Sequence, residues 1–252
     1  NLRLVDAVAV DLTAELVARR SAGVPFGELP IAGGVRGTTR QLDLLPLLFE
    51  DIDHASGSLV LDLAVSGRLA APRLQGEARL ADGTLDFYQA NLRLRDIQAT
   101  LALQETGLGL RATATAGGGS LKVDGQLGWR ERRLNGVLTI KGERLLLVDV
   151  PEARVRASPD LRFALADRRI DVTGSVTIPE ARIAPAETAN AVLASTDERI
   201  LQPEQKPDEP AQIAVASDLR LTLGNKVYID AFGLRGRITG TVRARSVPRE
   251  AA

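Results

Sequence analysis

The stretch Ser58-Leu59-Val60-Leu61-Asp62-Leu63-Ala64-Val65-Ser66 decides the fold class. Leu59, Leu61, Leu63 and Val65 share one parity; Asp62, Ala64 and Ser66 share the other. Side chains of an extended chain point alternately to two faces, so a period of two marks a strand with one apolar and one wet face. The beat continues outward from this stretch. Leu74, Ala78 and Leu80 alternate with Arg73, Gln75, Glu77 and Arg79. It recurs at Leu92/Leu94, Ile97/Leu101/Leu103, Leu108/Leu110, Leu121/Val123/Leu127/Trp129, Leu134/Leu138/Ile140 and Leu161/Phe163/Leu165. It ends with Ile170/Val172/Val176/Ile178, Leu219/Leu221/Leu223, Val227/Ile229 and Ile238/Val242. Helical periodicity is nearly absent, so the chain reads as all-β.

Turn signals separate the strands at intervals of about 10 residues, the spacing of antiparallel meanders. Ala81-Asp82-Gly83-Thr84 reads as a hairpin turn, because Asp-Gly readily supplies positive φ. Gly117 to Ser120, Arg130 to Arg133, Ala166 to Arg169 and Gly224-Asn225-Lys226 read as further turns. Gly125, Gly136, Gly174 and Gly236 fall in or beside strands, which predicts a curved sheet. One short helix is expected at about 43–52, with Asp43 as cap and Leu45, Leu48, Phe49 and Ile52 on one face. The polar stretch at about 187–211, with Pro203, Pro207 and Pro210, is expected to be a flexible loop.

A sheet with one apolar face must cover that face. The expected helix is too small for the task. Either the sheet closes on itself as a barrel or sandwich, or it curls partway and leaves an open apolar groove. The inward set is almost all Leu, Val, Ile and Ala, with Phe87, Trp129 and Phe163 as exceptions, which leans toward the groove. The whole chain, 1–252, reads as one elongated β-groove domain.

Composition removes several function classes. Lys+Arg and Asp+Glu are both 32, so the basic surplus that drives nucleic-acid binding is missing. Aromatics are 3%, too few for base-stacking platforms. There is no Cys, which excludes disulfides and thiolate chemistry. The lone His54 excludes multi-histidine metal sites, and Glu50, Asp51 and Asp53 beside it read as a solvated turn. His54 is also the only available triad base, and no Gly-x-Ser-x-Gly elbow exists, so no catalytic residue is assigned. Gly107-Leu108-Gly109-Leu110-Arg111-Ala112 lacks the third glycine and the helix of a dinucleotide fingerprint, so no cofactor is expected. Arg130, Arg132 and Arg133 read as a solvated hairpin tip. No apolar run approaches 18 residues. The chain holds no Met, so it is expected to be a fragment of a longer one.

Ordered motifs carry a resemblance. They are Ser56 to Gly67, Pro72 to Leu85, Leu94-Arg95-Asp96-Ile97, Gly119 to Gly125, Ser158-Pro159-Asp160-Leu161, Gly174 to Ile183 and Gly233-Leu234-Arg235-Gly236. In this order, over roughly residues 40 to 245, the sequence resembles the TamB C-terminal domain family within the AsmA-like, bridge-like lipid transfer group. The resemblance implies a β-taco, a long curled and mostly antiparallel sheet with a continuous aliphatic trough. It implies a periplasmic location, with an inner-membrane anchor outside this stretch. It implies phospholipid acyl chains as ligand, an outer-membrane barrel partner of the TamA/Omp85 type reached through a further C-terminal segment, and a second role with nascent outer-membrane β-barrel proteins.

Burying one methylene is worth about 0.8 kcal/mol, so drawing a 16-carbon chain through water costs on the order of 10 kcal/mol. An aliphatic wall removes most of that cost. The alternating face supplies the groove-lining set: Leu59, Leu61, Leu63, Leu74, Leu80, Phe87, Leu101, Leu103, Leu121, Val123, Trp129, Leu138, Ile140, Phe163, Leu165, Val172, Val176, Ile178, Leu219, Leu221 and Leu223. About 14 strands at roughly 4.8 Å would make a trough of about 65 Å.

Overall fold

The computed structural model describes residues 2–3, 10–18, 23, 25–40, 42, 51–130, 133–185, 214–231 and 234–247. They form one 15-stranded sheet. The strands are β1 Leu2–Arg3, β2 Val10–Ala18, β3 Ile31–Thr39, β4 Ile52–Arg68, β5 Ala71–Phe87, β6 Leu92–Gln104, β7 Gly107–Ala116 and β8 Gly119–Arg130. They continue with β9 Arg133–Glu143, β10 Leu145–Val150, β11 Ala153–Ala166, β12 Arg169–Ile183, β13 Ala214–Ala231, β14 Leu234–Arg237 and β15 Gly240–Ser246. A 3-10 turn, Phe26–Glu28, lies between β2 and β3. The expected helix at 43–50 and loop at 187–211 lie outside the described residues. Asp51 is in a turn and Ile52 opens β4.

Neighbours in sequence are mostly neighbours in the sheet, as a meander requires. β9 and β10 together flank β11, and β14 and β15 both pair with β13. Every pairing is antiparallel except β12 with β13, which is parallel. A parallel pair needs a long connection, and β12 ends at Ile183 while β13 begins at Ala214.

Register shifts form a line across the sheet. They fall between Ser56 and Ser58 in β4, around Gly83 in β5, between Arg95 and Gln98 in β6, between Arg156 and Ser158 in β11 and between Ile178 and Glu180 in β12. The pairings Gly83↔Ile97, Ala114↔Leu121 and Leu145↔Ala157 place these shifts side by side. Each shift bends its strand, so an aligned row bends the whole sheet along one crease. Asp82, Asp96 and Arg144 sit on this row at φ of 52°, 51° and 49°. The crease divides the sheet into a long arm, toward Trp129, and a short arm, toward Phe87 and Val150.

This geometry corrects two turn assignments. Asp82-Gly83 lies inside β5, and Gly224-Asn225-Lys226 lies inside β13. Asp82, at φ 52°, bends a continuing strand rather than reversing it, and β13 runs on through a register shift against β12 between the pairs Ile178↔Leu223 and Glu180↔Lys226. The turns at Gly117-Gly118 and Asp167-Arg168 are true hairpin ends.

The core is concentrated on the crease. Ala55, Ile97, Ala114, Ala116, Leu145, Ala157, Ala181 and Val227 are buried, and most are small. No large side chain among the described residues is fully buried. A closed sandwich would bury Leu and Phe across two layers; this sheet is curled and open.

Candidate functional site

Residues paired in register share a face, so the pairings can be followed from strand to strand. One file runs Val35–Leu63–Gly76–Leu103–Leu108–Leu127–Gly136–Leu165–Ile170–Val215, from β3 to β13, and holds no polar residue. Beside it runs Leu61–Ala78–Leu101–Leu110–Gly125–Leu138–Phe163–Val172. A third runs Leu59–Leu80–Ala99–Ala112–Val123–Ile140–Leu161–Gly174–Leu219–Ala244. The first file makes nine strand-to-strand steps of about 4.8 Å, roughly 43 Å in all.

The other expected residues attach to these files. Leu74 pairs with Val65, and Leu121 with Ala114. Trp129 pairs with Leu134 at the far end of β8. Val176 lies beside Leu221, and Ile178 beside Leu223. Phe87 stands apart: it pairs with Ile52 and Leu92 on the short arm, beyond the crease. Val35 and Val215 complete the first file. In β3 the apolar parity is diluted by Gly33 and Gly37, which hid Val35 from a reading of the sequence.

The wall is only partly covered. Leu59, Leu61, Leu63, Leu101, Leu138, Phe163 and Leu221 are all half-buried. Exposure grades along the strands. Ala116, Leu145 and Ala157 at the crease are 1%, 2% and 2% exposed, whereas Leu74, Trp129, Leu134 and Val215 at the long-arm lip are 42%, 37%, 44% and 50%. The Trp129 indole N–H donates to the Glu105 carbonyl at 2.7 Å, which fixes the ring at the lip.

Two glycines let the long arm coil tightly. Gly76 and Gly174 have φ of 130° and 134°, which side chains rarely adopt. A Cβ there would lie 2.0 Å from the Asp62 carbonyl oxygen and 2.1 Å from that of Asp160. Both glycines sit in the apolar files, so the backbones of β4 and β11 close into the space a side chain would take.

The opposite face is polar. Ion pairs run across it, including Arg36–Asp62 at 2.7 Å, Lys122–Asp124 at 3.2 Å, Lys141–Asp160 at 3.5 Å and Arg243–Asp218 at 2.6 Å. The Arg243 guanidinium, through its hydrogen bonds, holds the Asp218 carboxyl down to about 2, with Arg245 adding to the effect. Arg95 likewise lowers Asp86. Such exposed pairs add little stability and mainly keep this face wet. A discrete cleft of about 950 Å³ is also on the polar face, lined by Thr13, Glu15, Val17, Ala32 and Arg36. The apolar wall is a broader surface and carries the stronger signal, since it continues across most of the sheet. Among the described residues no group of three or more His, Asp or Glu is placed to hold a metal ion, and no helix is long and apolar enough to cross a membrane.

The family model for the TamB C-terminal domain matches residues 109–246, more than half of the chain. The chain belongs to the TamB C-terminal domain family. The match covers β8 to β15, and so both arms and the parallel β12–β13 pair of the TamB fold. A curated relative from Haemophilus influenzae, "Translocation and assembly module subunit TamB", is 24% identical over 230 residues. The alignment covers 84% of this chain and 18% of that protein, so the chain spans under a fifth of the relative's length. No solved structure matches.

Proposed function

We propose that this TamB-family chain is a non-enzymatic segment of a periplasmic bridge, holding phospholipid acyl chains against its aliphatic wall during transport between inner and outer membranes. The single observation behind the reading is the file from Val35 to Val215, unbroken by polar side chains and yet half-exposed. An exposed apolar surface of this extent needs a partner. A wall of Leu, Val, Ile and Ala offers no fixed polar anchor, so an acyl chain on it slides rather than docks. Mass spectrometry of an organic extract of the purified protein tests the reading. Phospholipid is expected in stoichiometric amounts; its absence from protein purified without detergent overturns the proposal.

A second reading has its own observation. All seven residues of β15, Gly240–Ser246, are exposed, and among the described residues the strand pairs only with β13. A strand edge of this kind can accept another strand. It supports a scaffold that assists nascent outer-membrane β-barrel proteins together with an outer-membrane barrel of the TamA type. Backbone crosslinking from β15 to an unfolded barrel protein tests it, and lipid extraction separates it from the first reading.

A further inference from the structure

We infer that the β13–β15 edge docks on an anionic phospholipid surface, with its arginines at the phosphate level and the exposed apolar side chains of β14 and β15 toward the acyl region. The inference concerns this edge and its outer face, and it stands whether or not acyl chains travel along the wall. The balance of 32 cations and 32 acids describes the whole chain and not its parts. Over residues 51–130 and 133–185, 17 Lys and Arg meet 16 Asp and Glu. Over residues 214–247, Arg220, Lys226, Arg235, Arg237, Arg243 and Arg245 meet only Asp218 and Asp230, six cations against two acids. The pairs Asp218↔Arg245, Arg220↔Arg243, Tyr228↔Arg237 and Asp230↔Arg235 put the arginines on one face of the sheet. It is the polar face, because Leu219↔Ala244 and Leu221↔Val242 hold the other parity.

The surplus is not neutralised within the sheet. Asp218 serves Arg243 at 2.6 Å and Arg245 at 3.2 Å, and Asp230 serves Arg235 at 2.8 Å. Arg220 and Arg237 are exposed and have no ion pair or side-chain hydrogen bond among the described residues. Arg220 stands directly opposite Arg243, a like-charge pairing that costs stability. A cleft of about 290 Å³ lies between these two, lined also by Thr173, Ser175 and Asp218, so hydroxyl donors join the guanidinia. Neighbouring β12 balances its own charges: Arg169 pairs with Asp171 at 2.8 Å, and Glu180 lies near Arg182 and opposite Lys226. A guanidinium suits a phosphate diester. The same edge exposes its apolar side chains. Leu234 is 61% and Val242 58% exposed, and they alternate with arginine in Leu234-Arg235-Gly236-Arg237 and Val242-Arg243-Ala244-Arg245. In a protein interface, apolar residues form a centre inside a polar rim. Here the two kinds lie on opposite sides of one strand. That matches the layering of phosphate over acyl chain, in which amphipathic segments lie at a bilayer surface. The headgroup layer is wet, so the open backbone row of β15 keeps its hydrogen bonds to water.

Cosedimentation of the whole chain with vesicles tests the edge. The probes are vesicles of phosphatidylcholine alone and of equal parts phosphatidylcholine and phosphatidylglycerol. Each cation near an anionic surface adds about fivefold in affinity. Binding to the mixed vesicles is expected to be on the order of 100-fold tighter. It is expected to weaken as salt shortens the Debye length from about 30 Å at 0.01 M to about 3 Å at 1 M. Arg220→Gln, Arg237→Gln and Arg245→Gln together are expected to weaken it by about 100-fold. Arg73→Gln with Arg111→Gln, at exposed cations of the polar face on β5 and β7, is expected to leave it unchanged. The chain has no Cys, so Val242→Cys carries one environment-sensitive fluorophore, and Leu234→Cys serves if that variant does not fold. Its emission is expected to shift to the blue on mixed vesicles, and that of Gln75→Cys to stay. Equal binding to both vesicle types, or a triple variant that binds like the parent, gives the attachment to the apolar wall; it overturns the inference and leaves the acyl-chain reading intact. No binding to either vesicle type removes the bilayer and leaves an acidic protein as the partner. Binding that emerges only after Glu204→Gln, Asp208→Asn and Glu209→Gln assigns the edge to the chain's own acidic stretch, and overturns the inference as well.

Discussion

Replacing Gly76 by Ala tests whether backbone closure at the glycine files holds the curl. Gly76 has φ 130° and lies between Leu63 and Leu103 in the apolar face. A Cβ there falls 2.0 Å from the Asp62 carbonyl oxygen and 2.9 Å from the Leu63 Cα. Both are backbone atoms of the paired strand, so no side chain can rotate away. The backbone angle alone costs about 1–3 kcal/mol, and forcing β4 aside adds about 1–3 kcal/mol. The stiffer unfolded chain returns about 0.4–1 kcal/mol. The net loss is on the order of 3 kcal/mol. At about 2–4 °C per kcal/mol for a domain of this size, the melting temperature should fall by roughly 6–12 °C. Gly109→Ala is the control: it adds the same methyl group at a position where nothing lies within 4 Å. Thermal unfolding followed by circular dichroism compares the two with the parent chain. If Gly76→Ala melts within about 2 °C of Gly109→Ala, the close approach of β4 and β5 is not structural and the reasoning fails.

Leu138→Asp and Leu221→Asp place a carboxylate on the half-exposed wall, opposite Gly125 and Phe163 in one case and beside Val176 in the other. Both variants are expected to fold, because the new charge reaches water, and to lose photocrosslinking of acyl chains at neighbouring wall positions; normal lipid passage in folded variants removes the wall as the route. Ala157→Leu, at the 2%-exposed crease, should cost about 1–3 kcal/mol by overpacking, whereas Leu134→Ala at the lip should cost about 1 kcal/mol or less, as urea unfolding will read. Asp218 has a folded carboxyl value of about 2, below the ordinary value of about 3.9, so its contribution is present above about pH 4 and is lost as pH falls through about 2. Hydrogen exchange in β15 should rise across that window in the parent chain and show no such step in Asp218→Asn; identical profiles would detach the Arg243 pair from the holding of that strand.

The beat of two in Leu59-Val60-Leu61-Asp62-Leu63 was enough to settle strands, faces and the all-β class, because alternation is a local property of extended backbone. The same beat assigned most of the wall, from Leu59 to Leu223, to one parity. It could not show where strands bend. Asp82-Gly83 and Gly224-Asn225 have the composition of turns, and only the pairing of β5 with β6 and of β12 with β13 reveals that the strands run through them. Whether an Asp-Gly or Gly-Asn pair reverses a strand or creases it depends on what the neighbouring strands do at the same level. Phe87 shares the parity of Arg79 and not that of Leu80, and it lies beyond the register shifts around Gly83, where it pairs with Ile52 and Leu92 on the short arm. The parallel β12–β13 pair was equally invisible, because strand direction is set by the path of a long connection and not by the alternation of either strand. Openness, too, belongs to the tertiary structure. An apolar face reads the same in a sandwich or a trough, and the difference lies in whether a second layer covers it. The aligned bends bury small residues at the crease and leave Leu74, Trp129 and Val215 in water at the lip.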